Sequence, residues 1–413
     1  MVLSYISLYR QKGACFIERP QYEQYKTIFA GIAKPFAYVN LDLLDANIAS
    51  IAAAARGKKV RVASKSIRSV EVLRRIMQAD GLFQGVMCYT AKEAAFLLKH
   101  GFDDLLIGYP VWNEAEIAAL LKLAGHERTV VFMVDSISHV EQLERLAAGS
   151  GICAKLCIDI DMSAHYPGLH FGVWRSPLHS WTQAKLIVER ILQSKQLKLD
   201  GVMGYEAQIA GVGDNVAGQR LKNGIIRFLK RRSIKEVAMR RVEVLRGIRQ
   251  LGAELRFVNA GGTGSMDSSS LEAGVTEITA GSGFYSPALF DHYASFHYMP
   301  AAGFAVEVVR KPRGSIVTCL GGGYAASGAA VADKMPQPHL PQGLKLLPLE
   351  GAGEVQTPLR VPRGLELNIG DPVFFRHAKA GELCERFTKL YAIAGNAIVD
   401  EYATYRGEGE CFL

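Results

Sequence analysis

The sequence predicts an α/β chain: a closed (β/α)8 barrel followed by a smaller all-β domain. Three observations predict it. Short apolar runs alternate with stretches of helical periodicity across the first three hundred residues. Eight such runs fall within about 250 residues, the repeat of a parallel barrel. Near residue 300 the alternation stops and short strands continue without helices between them.

In chain order the runs are "VRVAS" (60–64), "GVMCY" (85–89), "DLLIG" (104–108), "TVVFMV" (129–134), "KLCIDI" (155–160), "GVMGY" (201–205), "RFVNA" (256–260) and "TEITA" (276–280). Between them, "SVEVLRRIM" (69–77) and "AKEAAFLLKHG" (91–101) place apolar residues three and four apart, the spacing of one helix face. An open doubly wound sheet competes with the barrel, because periodicity does not distinguish a closed sheet from an open one. Ahead of the first run, "PFAYVNLDLLDANIASIAAAAR" (35–56) reads as an opening strand and a helix. After residue 300 the strands are "FAVEVVR" (304–310), "SIVTCL" (315–320), "PVFFR" (372–376), "KLYAI" (389–393) and "NAIVDEYATY" (396–405). Pro- and Gly-rich stretches such as "KMPQPHLPQGLKLLPLEGAGE" (334–354) separate them. The expected division is an extension over 1–34, the barrel over 35–298 and the β domain over 299–413.

Composition narrows the partners. The chain has 413 residues, 49% hydrophobic and 21% charged, as a globular protein with a substantial core has. Its net charge of +8 is spread among acids. The one dense basic run, "KRRSIKEVAMRR" (230–241), has helical spacing and reads as a solvated helix face, so no nucleic-acid partner is expected. A modest positive balance suits small anionic ligands. Seven cysteines without tight pairing read as reduced thiols, and "CAKLC" (153–157) reads as a packed strand rather than a metal clip. The N-terminus lacks the basic start of a signal peptide and no window reaches a membrane span, so a cytoplasmic protein with no membrane partner is expected.

Chemistry in a barrel gathers at the carboxyl ends of its strands. Lys65 follows the first strand, where an ordinary surface lysine would oppose the dipole of the helix it starts. After the seventh strand, "NAGGTGSM" sets Gly261, Gly262 and Gly264 around Thr263, with Ser265 next; after the eighth, "AGSGFYSP" carries Gly281 and Ser282. Glycines let backbone amides approach an anion, hydroxyls add donors, and barrels commonly hold phosphate after these two strands. No Lys-Ser/Thr follows the glycines, which excludes a nucleoside-triphosphate P-loop. A phosphate anchor facing a lysine is what pyridoxal phosphate requires, since its aldehyde condenses with an ε-amine.

The ordered set "PFAYVNLDLLDANI…VRVASKSIRSVEVLRRI", "DIDMSAHYPGLHFGVWRSP", "GVMGYEAQIAG", "RFVNAGGTGSM", "TEITAGSGFYSP", "GGGYAASG", "EGAGEVQTP" and "GDPVFFRHAKAGELCERF" resembles the alanine-racemase-like (fold type III) pyridoxal-phosphate enzymes, with a TIM-type barrel. Within them the closer likeness is to the D-threonine aldolase and D-serine dehydratase branch. The resemblance implies that Lys65 carries the cofactor and that His170 is catalytic. Phe171 stands where the family motif has an arginine, and Arg175 is the substitute within reach. Thr279 stands where true racemases carry an arginine beside the pyridine nitrogen, which weakens a racemase reading. Tyr205, Glu206 and Gln208 are implied at the ring face, and Tyr285 beside the strand-8 loop.

The branch also implies a divalent metal held by the C-terminal domain, with His377 and Cys384 as ligands and Glu382 as the hard alternative. The family spaces its two ligands two residues apart, whereas these two are seven apart. His–Cys favours zinc, while His–Glu suits manganese or magnesium. The implied substrate is a β-hydroxy-D-amino acid, cleaved to glycine and an aldehyde or dehydrated to a ketoacid and ammonia. A racemase and a carrier without turnover are the other readings; a second domain closing the site argues against the carrier. A head-to-tail homodimer is implied by the same resemblance.

Overall fold

The computed structural model describes residues 19–328 and 332–413. The N-terminal segment weighed for a signal peptide lies outside the described residues. Strand β1 (Phe36–Asn40) is followed by β2 (Lys59–Ala63), β3 (Phe83–Cys88), β4 (Leu105–Ile107), β5 (Val130–Val134) and β6 (Ala154–Asp159). A short hairpin, β7 (Ala164–Tyr166) and β8 (Leu169–Phe171), precedes β9 (Leu197–Gly204), β10 (Phe257–Ala260) and β11 (Glu277–Ala280). Strands β2 to β6 and β9 to β11 pair in parallel in chain order, and β11 closes on β2 through Glu277↔Lys59 to Ala280↔Val62. That last pairing rules out the open sheet.

The units assemble as their sequences dictate. Helices Ala91–Lys99, Glu114–Ala124 and Ile137–Ser150 begin at Thr90, Asn113 and Ser136, whose side chains accept from the amide three residues on. Each such cap contributes about 1 kcal/mol and fixes where a loop becomes a helix. Inside the barrel, Leu106, Val131, Met133, Cys157, Met203 and Phe257 form an apolar plug. Toward the amino ends, fully buried Arg61 is held by Glu277 (Nε–Oε1 2.7 Å) and Asp104 (Nη2–Oδ2 3.2 Å).

The second sheet is built from β12 (Ala302–Arg313), β13 (Ile316–Leu320), β14 (Gln337–Leu340), β15 (Lys345–Leu346), β16 (Gln356–Arg360), β17 (Pro372–Arg376), β18 (Lys389–Ala394) and β19 (Ala397–Ala403). Its order is β15-β16-β13-β12-β1-β18-β19, with β17 on β12 and β14 on β17. Strand β1, assigned from sequence to the barrel span 35–298, therefore sits in the C-terminal sheet, antiparallel to β12 and parallel to β18. Its edges are filled by strands from the far end of the chain, which a local pattern does not reveal. The helix Arg19–Ile28 joins the same layer, with Tyr25 edge-on to Tyr38 at 5.4 Å and to Phe374 at 5.5 Å.

The basic run lies in the helix Arg220–Gln250. Arg231, Arg232 and Lys235 face solvent, as expected of a solvated face, but Lys230 and Arg241 are buried. Lys230 pairs with Asp214 at 3.3 Å, and Arg241 pairs with Glu206 and Glu272. Among the described residues no helix is long and apolar enough to cross a membrane.

Candidate active site

A cavity of about 590 Å³ opens at the carboxyl ends of the barrel strands. Lys65, His170, Arg175, Tyr205, Gln208, Gly261, Gly262, Thr263, Gly264, Gly281 and Ser282 all line it. Lys65 lies in the single turn Ser64–Ser66 that follows β2. Its Nζ donates to the Tyr109 hydroxyl at 2.7 Å, and Tyr109 follows β4. Burial pushes the Tyr109 phenol up, but Lys65 and Arg175 outweigh it and hold the group below its ordinary value. The Arg175 guanidinium stands 5.9 Å from the Tyr109 ring and 5.7 Å from the Tyr205 ring, so it faces the same space as Lys65.

The glycine loop is shaped for close approach. A Cβ on Gly264 would stand 2.2 Å from the carbonyl oxygen of Ala210, so no side chain fits there. Thr263 Oγ1 accepts from the amides of Gly283 (3.1 Å) and Gly281 (3.4 Å), tying the loop after β10 to the one after β11. Ser265, expected at the ligand, instead turns beneath the loop. Its Oγ donates to Glu206 at 2.9 Å and accepts from Gly262 N at 3.1 Å. Glu206 is likewise a buried anchor, joined to Ser265, Ser269 and Arg241 rather than to the cavity. Gln208 donates to the Met162 carbonyl at 2.5 Å and leaves its Oε1 without a partner.

His170 is carried by β8, cross-strand from His165. Its ring stacks on Trp174 at 3.8 Å, its Nδ1 lies 3.4 Å from His165 Nδ1, and its buried Nε2 has no hydrogen-bond partner. At the floor, Asn259 Nδ2 donates to Thr279 Oγ1 at 2.8 Å. Behind Arg175, Asp159 is pushed up to about 7 by burial, with Asp135 and Asp161 adding and Arg175 opposing.

Three further expected residues do not reach the cavity. Tyr285 is fully buried and donates to the Ile67 carbonyl at 3.1 Å, packed between barrel and β domain. Cys384 donates to the same carbonyl at 3.3 Å, and burial pushes its thiol up to about 12. His377 is buried, 6.3 Å from the Tyr285 ring, with both ring nitrogens unpartnered; burial, with Arg376, drives it down to about 3. Two residues after His377, at the family's spacing for a second ligand, stands Lys379, an ammonium that cannot ligate. These side chains do not fit a metal centre facing the cavity: one donor is a disfavoured thiolate bonded elsewhere, and neither lines the wall. Glu382 does line it, but its carboxylate accepts from Ser327 N at 3.0 Å. The segment nevertheless closes on the lysine turn, since a Cβ on Gly381 (φ +86°) would fall 1.9 Å from the Lys65 carbonyl.

Sequence reasoning missed Tyr109 and Asn259. Both are detectable by the strand-end rule that found Lys65: Tyr109 follows "LLIG", and Asn259 is a polar residue within an apolar barrel strand.

Among curated proteins none matches the chain. Solved structures share its fold at low identity. D-threonine aldolase from Filomicrobium marinum is 17% identical with a TM-score of 0.77, covering 91% of this chain and 96% of that one. D-threo-3-hydroxyaspartate dehydratase from Delftia sp. HT23 is 19% identical with a TM-score of 0.71, covering 91% and 98%. Alanine racemase from Clostridium difficile 630 is 14% identical with a TM-score of 0.63, covering 90% and 99%. Residues 39–272 match the family described as alanine racemase, N-terminal domain, and with this barrel and β sheet the chain belongs to the alanine-racemase-like, fold type III pyridoxal-phosphate family.

Proposed function

We propose that the chain is a pyridoxal-phosphate-dependent lyase that cleaves β-hydroxy-D-amino acids to glycine and an aldehyde. The observation that carries this reading is that Lys65 and the Gly261–Gly264 loop, two strands apart at the carboxyl end of the barrel, line one cavity. The residues present fit the cofactor: a lysine amine, a glycine-rich loop whose Gly264 admits no Cβ, and the rings of Tyr109 and Tyr205 all line the same cavity. When bound, pyridoxal phosphate supplies an aldehyde for amine condensation and a ring that accepts the electron pair left at Cα.

The chain's own groups do the rest. Lys65 attacks as the free amine, and its hydrogen bond aims it at Tyr109, which holds a proton at the phenol oxygen. Arg175 keeps positive charge on that wall and favours a carboxylate there. His170 lines the cavity with a ring nitrogen that has no hydrogen-bond partner, and we assign it as the base that takes the β-hydroxyl proton. Loss of that proton lets Cα–Cβ break, releasing aldehyde. If Lys65 instead takes the α-proton, the β-hydroxyl leaves and the product is a ketoacid with ammonia.

Support for this substrate class comes from the names of two similarly folded proteins, an aldolase of D-threonine and a dehydratase of D-threo-3-hydroxyaspartate. The second name keeps dehydration as the competing outcome. The test is incubation of the purified chain with pyridoxal phosphate and D-threonine, quantifying glycine, acetaldehyde, 2-oxobutyrate and L-allo-threonine, the Cα epimer. Glycine with equimolar acetaldehyde is expected. 2-Oxobutyrate would move the assignment to the dehydratase, L-allo-threonine to a racemase. Silence with several D-β-hydroxy acids would overturn the lyase reading.

A further inference from the structure

A second group of side chains stands beside the cavity and is used by nothing above. Asp161, just past β6, His165 on β7 and His179, after the hairpin, bring one ligand atom each within 4.8 Å of one another. We propose that these three residues form a binding site for a divalent first-row transition metal, with Zn²⁺ the best match to two imidazoles and one carboxylate. The inference goes beyond the lyase reading and does not depend on it.

The cluster has the support a ligand set needs. Asp161 is buried, and its carboxylate accepts from Ser163 N at 2.9 Å and Ser163 Oγ at 2.5 Å. Such outer contacts orient a metal ligand and leave lone pairs for the ion. The Arg240 guanidinium donates to the backbone carbonyls of Asp161 and Ser163 at 2.6 and 3.0 Å, which pins the loop without consuming the carboxylate. His179 Nδ1 lies 2.7 Å from Asp161 Oδ2 yet out of line for a hydrogen bond, so this buried nitrogen has no hydrogen-bond partner. The His165 and His179 rings are 5.5 Å apart.

With Zn–N bonds of about 2.0–2.1 Å, ligand atoms on a tetrahedron lie roughly 3.3 Å apart. Closing the present triangle calls for side-chain rotation at exposed His165, which exchanges its contact with His170 Nδ1, and at partly exposed His179. Three protein donors leave a position for water, and the exposure of His165 places it toward solvent. The ion would tie β6 to the β7–β8 hairpin. His170, whose Nδ1 is 3.4 Å from His165 Nδ1, rides on that hairpin.

Chelated protein titrated with Co²⁺ tests the site, because ligand-field bands in the visible report nitrogen and oxygen ligation without cofactor, substrate or turnover. One equivalent of Co²⁺ should bind, be displaced by Zn²⁺, and raise the melting temperature. His165→Ala, a truncation at an exposed position, should weaken binding at least about 10-fold, and Asp161→Asn should do the same. His377→Ala should leave the titration unchanged. No bound Co²⁺, or a titration insensitive to His165→Ala, or one abolished by His377→Ala, would overturn the proposal. None of those results bears on the product assay that tests the lyase.

Discussion

The two ends of the barrel treat their buried carboxyl groups in opposite ways. At the amino end, burial pushes Asp104 up, but Arg61 and Arg256 outweigh it and hold the carboxylate below its usual range. At the carboxyl end, Asp159 rises to about 7 with only Arg175 opposing, and Glu93, beside the lysine turn, also rises to about 7. At the amino end, buried Arg61 is matched by Glu277 and Asp104. At the carboxyl end, Lys65, Arg175 and His170 line one cavity. Stability and chemistry are thus divided along one axis, and perturbed groups collect where chemistry is expected.

The sharpest way to break that division is at Lys65. Lys65→Ala should lower turnover by about 10⁴-fold and abolish the visible absorbance of lysine-bound cofactor, while urea melts of the cofactor-free chain stay within about 0.5 kcal/mol of the parent. A large loss of stability would mean that the lysine belongs to the scaffold. The converse test is Arg61→Ala. It leaves buried Glu277 without its cation, and Asp104 with Arg256 alone, and should cost about 3–5 kcal/mol in urea melts. At a temperature where the variant stays folded, the Michaelis constant should be unchanged, and a shifted one would show that the two ends are coupled.

A finer probe is Tyr109→Phe, which removes the phenol from Lys65 and little else. Losing a hydrogen bond to a charged group costs about 1.5–3 kcal/mol, so kcat/KM should fall about 10- to 100-fold. Because Lys65 and Arg175 hold the phenol below its ordinary value, the parent should lose activity on a basic limb that the variant lacks. Identical pH profiles would reduce Tyr109 to a packing residue.

The same axis explains what the sequence disclosed. Barrel strands are buried on both faces, so "TVVFMV" reads as a nearly unbroken apolar run, and all the runs named from 60 to 280 overlap barrel strands. Lys65 and the glycine loop were legible because each sits at the end of such a run. The hairpin strands "AHY" and "LHF" were not, being only three residues long with a histidine at the centre of each. Strands β14, β15 and β16 hide among the prolines of 334–362, where pairing rather than composition makes them. Three histidines within "DMSAHYPGLHFGVWRSPLH" were in plain view, but only the fold brings His165 and His179 to Asp161. His377 and Cys384 show the reverse failure: residue type and order suggested ligands, and burial turned both away from the cavity.

Glu93 offers the smallest and most quantitative test. Its Oε2 accepts from Tyr89 N and its Oε1 from the Tyr405 hydroxyl, and these bonds, with Ser64 and the Arg68 charge, oppose the effect of burial without overcoming it. Burial therefore dominates and lifts the carboxyl from 4.5 to about 7. Below pH 4.5 both folded and unfolded chains hold the proton. Between pH 4.5 and about 7 the unfolded chain releases it first, so stability falls as pH rises. Glu93→Gln removes that titration while its amide oxygen still accepts from Tyr89 N and its NH₂ donates to Tyr405. The difference in unfolding free energy between variant and parent should therefore shift toward the variant by up to about 1.4 kcal/mol per pH unit across that window, then level off. Parallel curves would mean that Glu93 ionises in the fold as freely as in water, and the contrast between the barrel ends would then rest on Asp159 alone.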